Sequence, residues 1–145
     1  MVEYDINRGI MKKFEILEHK ADLKMRVFGK SKKELFRNAV LAMVSGLQPK
    51  VKSRRLKVKN IKIKSDNLET LLVDFLSEVL YLSQVNREIY SDVKFKKFSD
   101  KEIEAELVGQ KVESFSGDIK AVTYHNLDVH QTENGTWQAT ILFDV

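Results

Sequence analysis

The sequence predicts an α+β domain, two helices packed on a mostly antiparallel sheet system in the order β-β-α-β-α-β-β-β-β. Three observations carry this. Two wide apolar stripes recur at helical spacing, each behind a capping signal, while most other apolar residues alternate with polar ones in short runs. No repeat, linker or low-complexity tract divides the 145 residues, about one domain's worth of chain. Apolar residues at 43% and charged residues at 32% fit a folded protein with one core.

Taken in order, residues 1–11 read as an N-terminal extension, Met11 being an alternative start, and the domain spans residues 12–145. A first strand begins at Phe14. Leu23, Met25 and Val27 alternate with polar residues in a second, which Gly29 ends. Ser31 and Glu34 form an S-x-x-E capping box. Leu35, Phe36, Ala39, Val40, Met43 and Leu47 then predict a helix over about 32–46, and Pro49 marks the break. Residues 54–64 alternate with a phase change, Leu56 and Val58 being even and Ile61 and Ile63 odd, which predicts a β-bulge or bend near Asn60. Asp66 and Glu69 form a second capping box, and the stripe Leu68, Leu71, Leu72, Phe75, Leu76, Val79 and Leu80 predicts a mostly buried helix over 67–83. Strands follow at 88–98 and 102–109. Residues 110–118 read as a loop, and two last strands at 119–131 and 136–144 flank a hairpin signal at Asn134 and Gly135.

The composition excludes several function classes. With no cysteine there is no disulfide, no thiolate zinc site and no thiol nucleophile. The polar N-terminus shows no secretory signal, and no apolar run approaches the ~20 residues of a membrane helix, so the expected compartment is the cytoplasm. No phosphate-binding glycine loop, H-E-x-x-H motif or nucleophile elbow is present. The net charge of +4 is uneven. Residues 50–64 hold eight Lys or Arg and no acid; taking those eight from 25 leaves 17 cations against 21 acids, a net −4 elsewhere. A concentrated patch steers a polyanion better than diffuse charge. Lys57, Lys59, Lys62 and Lys64 are its candidate contacts to RNA or to an acidic partner; a solvated, aggregation-blocking strand is the alternative. No aromatic residue interleaves them, so base stacking is not indicated.

Three further features remain. Glu18, His19 and Asp22 crowd a short strand connection, where Asp22 is either a site residue or the centre of an Asx turn. The chain stops at Phe143, Asp144 and Val145 on what reads as a strand, setting a side-chain carboxylate and the α-carboxylate one residue apart, an oxygen pairing that hard cations favour. His125 follows Tyr124 in a third segment, open to acid–base or scaffolding roles.

Together these segments resemble the archease family, small protein cofactors of the GTP-dependent RNA ligase of tRNA splicing. The likeness spans about Lys12 to Val145. It rests on Phe14-x3-Glu18-His19-x-Ala21-Asp22, on the leucine-rich helix, on the segment from Lys120 through Thr123, Tyr124 and His125 to Leu127, and on the terminal Phe143, Asp144 and Val145. The resemblance implies a divalent metal, usually assigned as calcium, held by Asp22, Asp144 and Val145, with Glu18, His19 and His125 as site support. It further implies an accessory protein and not an enzyme, which promotes guanylylation and multiple turnover of the ligase. That ligase joins 2′,3′-cyclic or 3′-phosphate RNA ends to 5′-hydroxyl ends, with tRNA reached through the ligase or through residues 50–64. Lys20, Leu23 and Lys24 depart from the family's usual E-H-T-A-D-I-G run, and Glu113 aligns where a His is frequent. Lys20, two residues before the metal-binding Asp22, lowers cation affinity if its ammonium reaches the site. The rival functions are an RNA-binding or chaperone-like module for RNA-processing enzymes, resting on residues 50–64, and a metal-dependent hydrolase using Asp22, Asp144 and His125.

Overall fold

The computed structural model describes residues 4–5 and 10–145. Strands β1 (Tyr4–Asp5) and β2 (Ile10–Met11) pair with each other. They fall in the segment read as an extension, whose residues 1–3 and 6–9 lie outside the described residues. From Phe14 the element order is the predicted one: β3 (Phe14–His19), β4 (Asp22–Gly29), α1 (Lys32–Leu47), β5 (Pro49–Lys64), α2 (Leu68–Asn86), β6 (Glu88–Phe98), β7 (Glu102–Phe115), β8 (Ala121–Gln131) and β9 (Trp137–Asp144).

The strands form two antiparallel sheets, β3-β4-β9-β8 and β5-β7-β6. Both helices touch both sheets: α1 packs on β4 and β6, and α2 on β8 of one sheet and on β5, β6 and β7 of the other. Apolar stripes this wide need partners on two sides. All six residues of the predicted α1 stripe and all seven of the α2 stripe are buried. They meet Leu23, Met25, Val27, Ile141 and Phe143 from the first sheet and Val93, Ile103, Ala105 and Leu107 from the second in one core.

The helix termini follow local chemistry. Ser31 Oγ accepts the Glu34 N–H at 3.1 Å, while a Glu34 carboxylate oxygen accepts the Lys30 N–H at 3.3 Å; such a cap is worth ~1 kcal/mol. The second cap falls one residue later than predicted. Asn67, not Asp66, accepts the Thr70 N–H at 2.9 Å; the helix begins at Leu68, so the extended residue before it, Asn67, is the one that caps. The helix then runs to Asn86, past the predicted 83, and Arg87 closes it in the left-handed conformation.

Two strand readings are corrected. No bulge lies at Asn60: β5 pairs with β7 without interruption from Leu56 to Lys64. The phase change has another cause. Ile61 faces the core, whereas Leu56 and Val58 are 63% and 53% exposed on the outer face, where Val58 lies opposite Val108 of β7. The irregularity sits earlier. Five steps of β5, Val51 to Leu56, face two steps of β7, Val112 to Gln110, leaving three residues surplus. Residues 110–115, read as loop, continue β7, because β5 starts at Pro49 and pairs them as far as Phe115. Proline is tolerated there, at the first position of an edge strand.

Candidate functional site

The β3–β4 connection is only Lys20 and Ala21, so β4 begins at Asp22 itself. No Asx turn forms: among the described residues the Asp22 carboxylate accepts no backbone N–H. Register does the rest. β4 and β9 pair without a break for eight residues, from Gly29 opposite Trp137 to Asp22 opposite Asp144. Residues directly opposite in an antiparallel pair have Cα atoms about 4.5–5.5 Å apart and side chains on one face. That face is the outer one, since Leu23, Met25, Phe143 and Ile141 between them are buried. The strand adjacency that a shared ion demands is therefore present.

A cavity of about 190 Å³ opens beside this pair, lined by Glu18, Asp22, Lys24, His125, Asn126, Thr140 and Leu142. Glu18 arrives because β3 slips register between Ile16 and Glu18, which sets it opposite Lys24. His125 and Asn126 arrive by a larger irregularity: five steps of β8, Thr123 to Asp128, face two steps of β9, Leu142 to Thr140. Asn126 sits in the left-handed region with φ 51°, where asparagine is among the better-tolerated residues. The bulge is tied down at both sides. Thr123 Oγ1 donates to the Leu142 carbonyl at 2.9 Å. The Tyr124 hydroxyl makes a short hydrogen bond to the Asp74 carboxylate on α2, whose other oxygen accepts from Ser65 Oγ at 2.8 Å. That bond to Asp74, aided by partial burial, raises the Tyr124 phenol above its ordinary pKa.

Of the residues singled out from sequence, Asp22, Glu18 and His125 line the cavity, and Asp144 stands opposite Asp22. His19 is exposed and paired with Leu23, one position beyond Glu18, so it leaves the cavity-lining set. Val145 is partly buried against the core, and its donor to any ion is a main-chain oxygen. Lys24, Asn126 and Thr140 join the lining without having been singled out as site residues; only register brings them there. Among the described residues no group of three or more His, Cys, Asp or Glu is placed to hold a metal ion. Asp22 and Asp144 offer two carboxylates in register, oxygen donors of the kind a hard cation prefers, and neither carboxylate has a hydrogen-bond or ion-pair partner among the described residues. The set fits a hard divalent ion, with the Lys24 ammonium as a resident competitor. Like charges directly opposite in a sheet are destabilising, so this pair is held by the register of the strands and not by its own attraction.

The four lysines of β5 do not form one patch. Lys57 and Lys59 share the alternation of the buried Ile61, while Lys62 and Lys64 alternate with it on the outer face. Lys59 lies 4.0 Å from the buried Glu88, which also accepts the Tyr90 hydroxyl at 2.8 Å. Lys62 pairs with Glu104 at 3.3 Å, and Lys64 stands opposite Glu102. Lys96 and Lys97 of β6 pair with Glu106 and Glu102 from the other side. The outer face of this sheet is a ladder of alternating charge with its acids on the central strand.

Residues 14–145 match the Archease protein family. The chain belongs to the archease family. Protein archease of Methanosarcina barkeri is 35% identical over 142 residues, covering 92% of this chain and 97% of that one. Protein archease of Pyrococcus abyssi is 28% identical, covering 93% and 100%. Two solved structures share the fold. The crystal structure of an archease from Thermotoga maritima, a possible chaperone, superposes with a TM-score of 0.66 at 19% identity, covering 90% of this chain and 96% of that one. The solution structure of Methanobacterium thermoautotrophicum protein 1598 gives 0.65 at 24%, covering 92% and 99%. No described helix of this archease is long and apolar enough to cross a membrane.

Proposed function

We propose that this archease is an accessory protein of the GTP-dependent tRNA-splicing RNA ligase, acting in the cytoplasm through a divalent-cation tip at the end of β4 and β9. The observation that carries the reading is the pairing of Asp22 with Asp144 in direct register, both carboxylates without a hydrogen-bond or ion-pair partner among the described residues. Asp22 and Asp144 would hold the ion, calcium by family resemblance, and Val145 would add a main-chain oxygen. A bound ion would supply fixed positive charge toward nucleotide phosphates, the kind of stabilisation that nucleotidyl transfer depends on.

The chain's own part is positional. β4 and β9 are central strands of their sheet, and a paired, packed strand end presents its carboxylates with little freedom to reorganise. Glu18 and His125 border the tip and could orient it against the ligase. Among the described residues the site holds no nucleophile–base pair: the His125 ring has no carboxylate partner there, and His130, which does have one in Asp128 at 2.8 Å, lies away from the cavity lining. This supports an activator over a hydrolase.

The test is guanylylation of the cognate ligase with GTP, with and without this protein, in the absence of RNA. The wild type should accelerate it and Asp22→Ala should not, while Asp22→Ala keeps its thermal unfolding transition. Equal stimulation by both proteins would refute the role of the tip. Metal-dependent turnover of phosphoesters by this protein alone would favour the hydrolase.

A further inference from the structure

We infer that the bulge on β5, at Lys52, Arg54 and Arg55, binds the phosphodiester backbone of nucleic acid. It does not rest on the ligase reading and moves the polyanion contact away from Lys57, Lys59, Lys62 and Lys64.

The cations of β5 differ in what faces them. Lys50, Lys59 and Lys62 each face an acid of this chain, Glu113 at 3.5 Å, Glu88 at 4.0 Å and Glu104 at 3.3 Å, and Lys64 stands opposite Glu102. Lys57 has no ion pair among the described residues, but it is half-buried, in register opposite Gly109, on the alternation that faces the core. Lys52, Arg54 and Arg55 are exposed and have no ion pair among the described residues. They are also the residues thrown out of register, since the surplus of β5 over β7 falls between Val51 and Leu56. A bulge on an edge strand turns side chains away from the ladder, and β5 is an edge of its sheet.

The segment has local anchors. The Arg55 N–H donates to Ser53 Oγ at 3.1 Å, and Gln110 Nε2 donates to the Arg54 carbonyl at 3.4 Å. Ser53, the one uncharged residue of the four, is thus turned to the backbone, and three cations are presented with nothing apolar among them. A protein partner would need a desolvated apolar centre; the exposed apolar side chains nearby, Val51, Leu56 and Val58, belong to the paired strand on either side of the bulge, and none stands among the three cations. Arginine forks match phosphate oxygens in pairs. Without an aromatic residue in 49–64, recognition is of the backbone and independent of base sequence.

The measurement is fluorescence anisotropy with a labelled 20-nucleotide single-stranded RNA of mixed sequence, between 50 and 200 mM KCl. Three lost contacts at about 0.7 each lower the slope of log K against log salt by about 2. The variant K52Q/R54Q/R55Q should therefore lose about 20-fold of the affinity difference across that fourfold range. K62Q/K64Q should stay near wild type, because those lysines face Glu104 and Glu102. Leu56→Ser should bind RNA as wild type does. All substituted side chains are exposed, so the variants should keep the wild-type unfolding transition. The inference is overturned if K62Q/K64Q accounts for the loss, or if the triple variant binds RNA as the wild type does. It is equally overturned if the wild type ignores RNA at 50 mM salt; binding of a synthetic alternating Glu-Leu peptide, abolished by Leu56→Ser, would then make the surface a protein-docking face.

Discussion

The bulges of β8 and β5 use the same backbone device with opposite chemistry. Each sits on an edge strand, and each sets five of its own steps against two of the neighbour's. On β8 the surplus carries His125 and Asn126 over a cavity that already holds Glu18 and Asp22. On β5 it carries Lys52, Arg54 and Arg55, which no acid among the described residues answers. The first bulge is tied to a helix through Tyr124 and Asp74; the second is held by its own serine and one glutamine of β7. The contrast shows that the surplus residues supply reach, while the neighbouring strand decides what that reach is for. A cation tip needs rigid, converging oxygens, whereas backbone phosphate is satisfied by mobile charge.

The comparison breaks most visibly at Asp22. Asp22→Ala should remove the stabilisation that millimolar calcium gives the wild type, about 2.7 kcal/mol at a hundred times the dissociation constant, as read by thermal unfolding. Without calcium the same variant should be unchanged or slightly more stable, by up to about 0.5 kcal/mol, because a like-charge pair has been relieved. RNA binding at the β5 bulge should not change.

Tyr124→Phe should loosen one bulge and not the other. The lost hydrogen bond ends on a carboxylate, which would be worth about 1.5–3 kcal/mol if buried; Tyr124 is half exposed, so about 1 kcal/mol is expected. The sign with pH follows from the raised phenol. A tyrosine whose folded pKa exceeds its unfolded value contributes stability that is fully present below the unfolded value, near 10, and is lost as pH rises through the folded one. The wild-type advantage over Tyr124→Phe should hold from pH 6 to 9 and fade above about 10.

Lys24→Ala sharpens the account of the tip. Removing the resident ammonium should tighten calcium binding by roughly fivefold, about 1 kcal/mol of Coulomb energy at a solvated site, measured by calorimetric titration. Val145→Ile should have the smallest effect, because the donor assigned to this residue is a main-chain oxygen.

Much of the scaffold was legible. Strict alternation at Leu23, Met25 and Val27 and the long stripes of both helices identify positions that are all buried, because a half-buried strand and a sandwiched helix leave different periods in a sequence. The bulges were not legible. The phase change at Leu56 and Val58 was read on the rule that apolar residues point inward, and it located a bulge at Asn60; a sheet whose outer face accepts Leu56, Val58 and Val108 breaks that rule without any kink. The β8 bulge leaves no periodic trace, its one local hint being Asn126 in a left-handed turn. The loop reading of 110–115 failed because Ser114 and Ser116 beside Gly117 resemble turn chemistry, while the partner strand that extends β7 lies some sixty residues earlier. At the site, Asp22 and Asp144 could be named from family likeness, but Lys24, Thr140 and Asn126 come together only through pairing register, which a single sequence does not encode locally.

The central claim, that the paired ends of β4 and β9 hold a divalent cation, is tested most directly by calorimetric titration of calcium into the wild type and into Asp144→Asn, which keeps the shape of the side chain and removes its charge. The account predicts one saturable site in the wild type and its loss in Asp144→Asn. A wild type that binds no calcium at millimolar concentration, or an Asp144→Asn protein that binds it equally well, would contradict it.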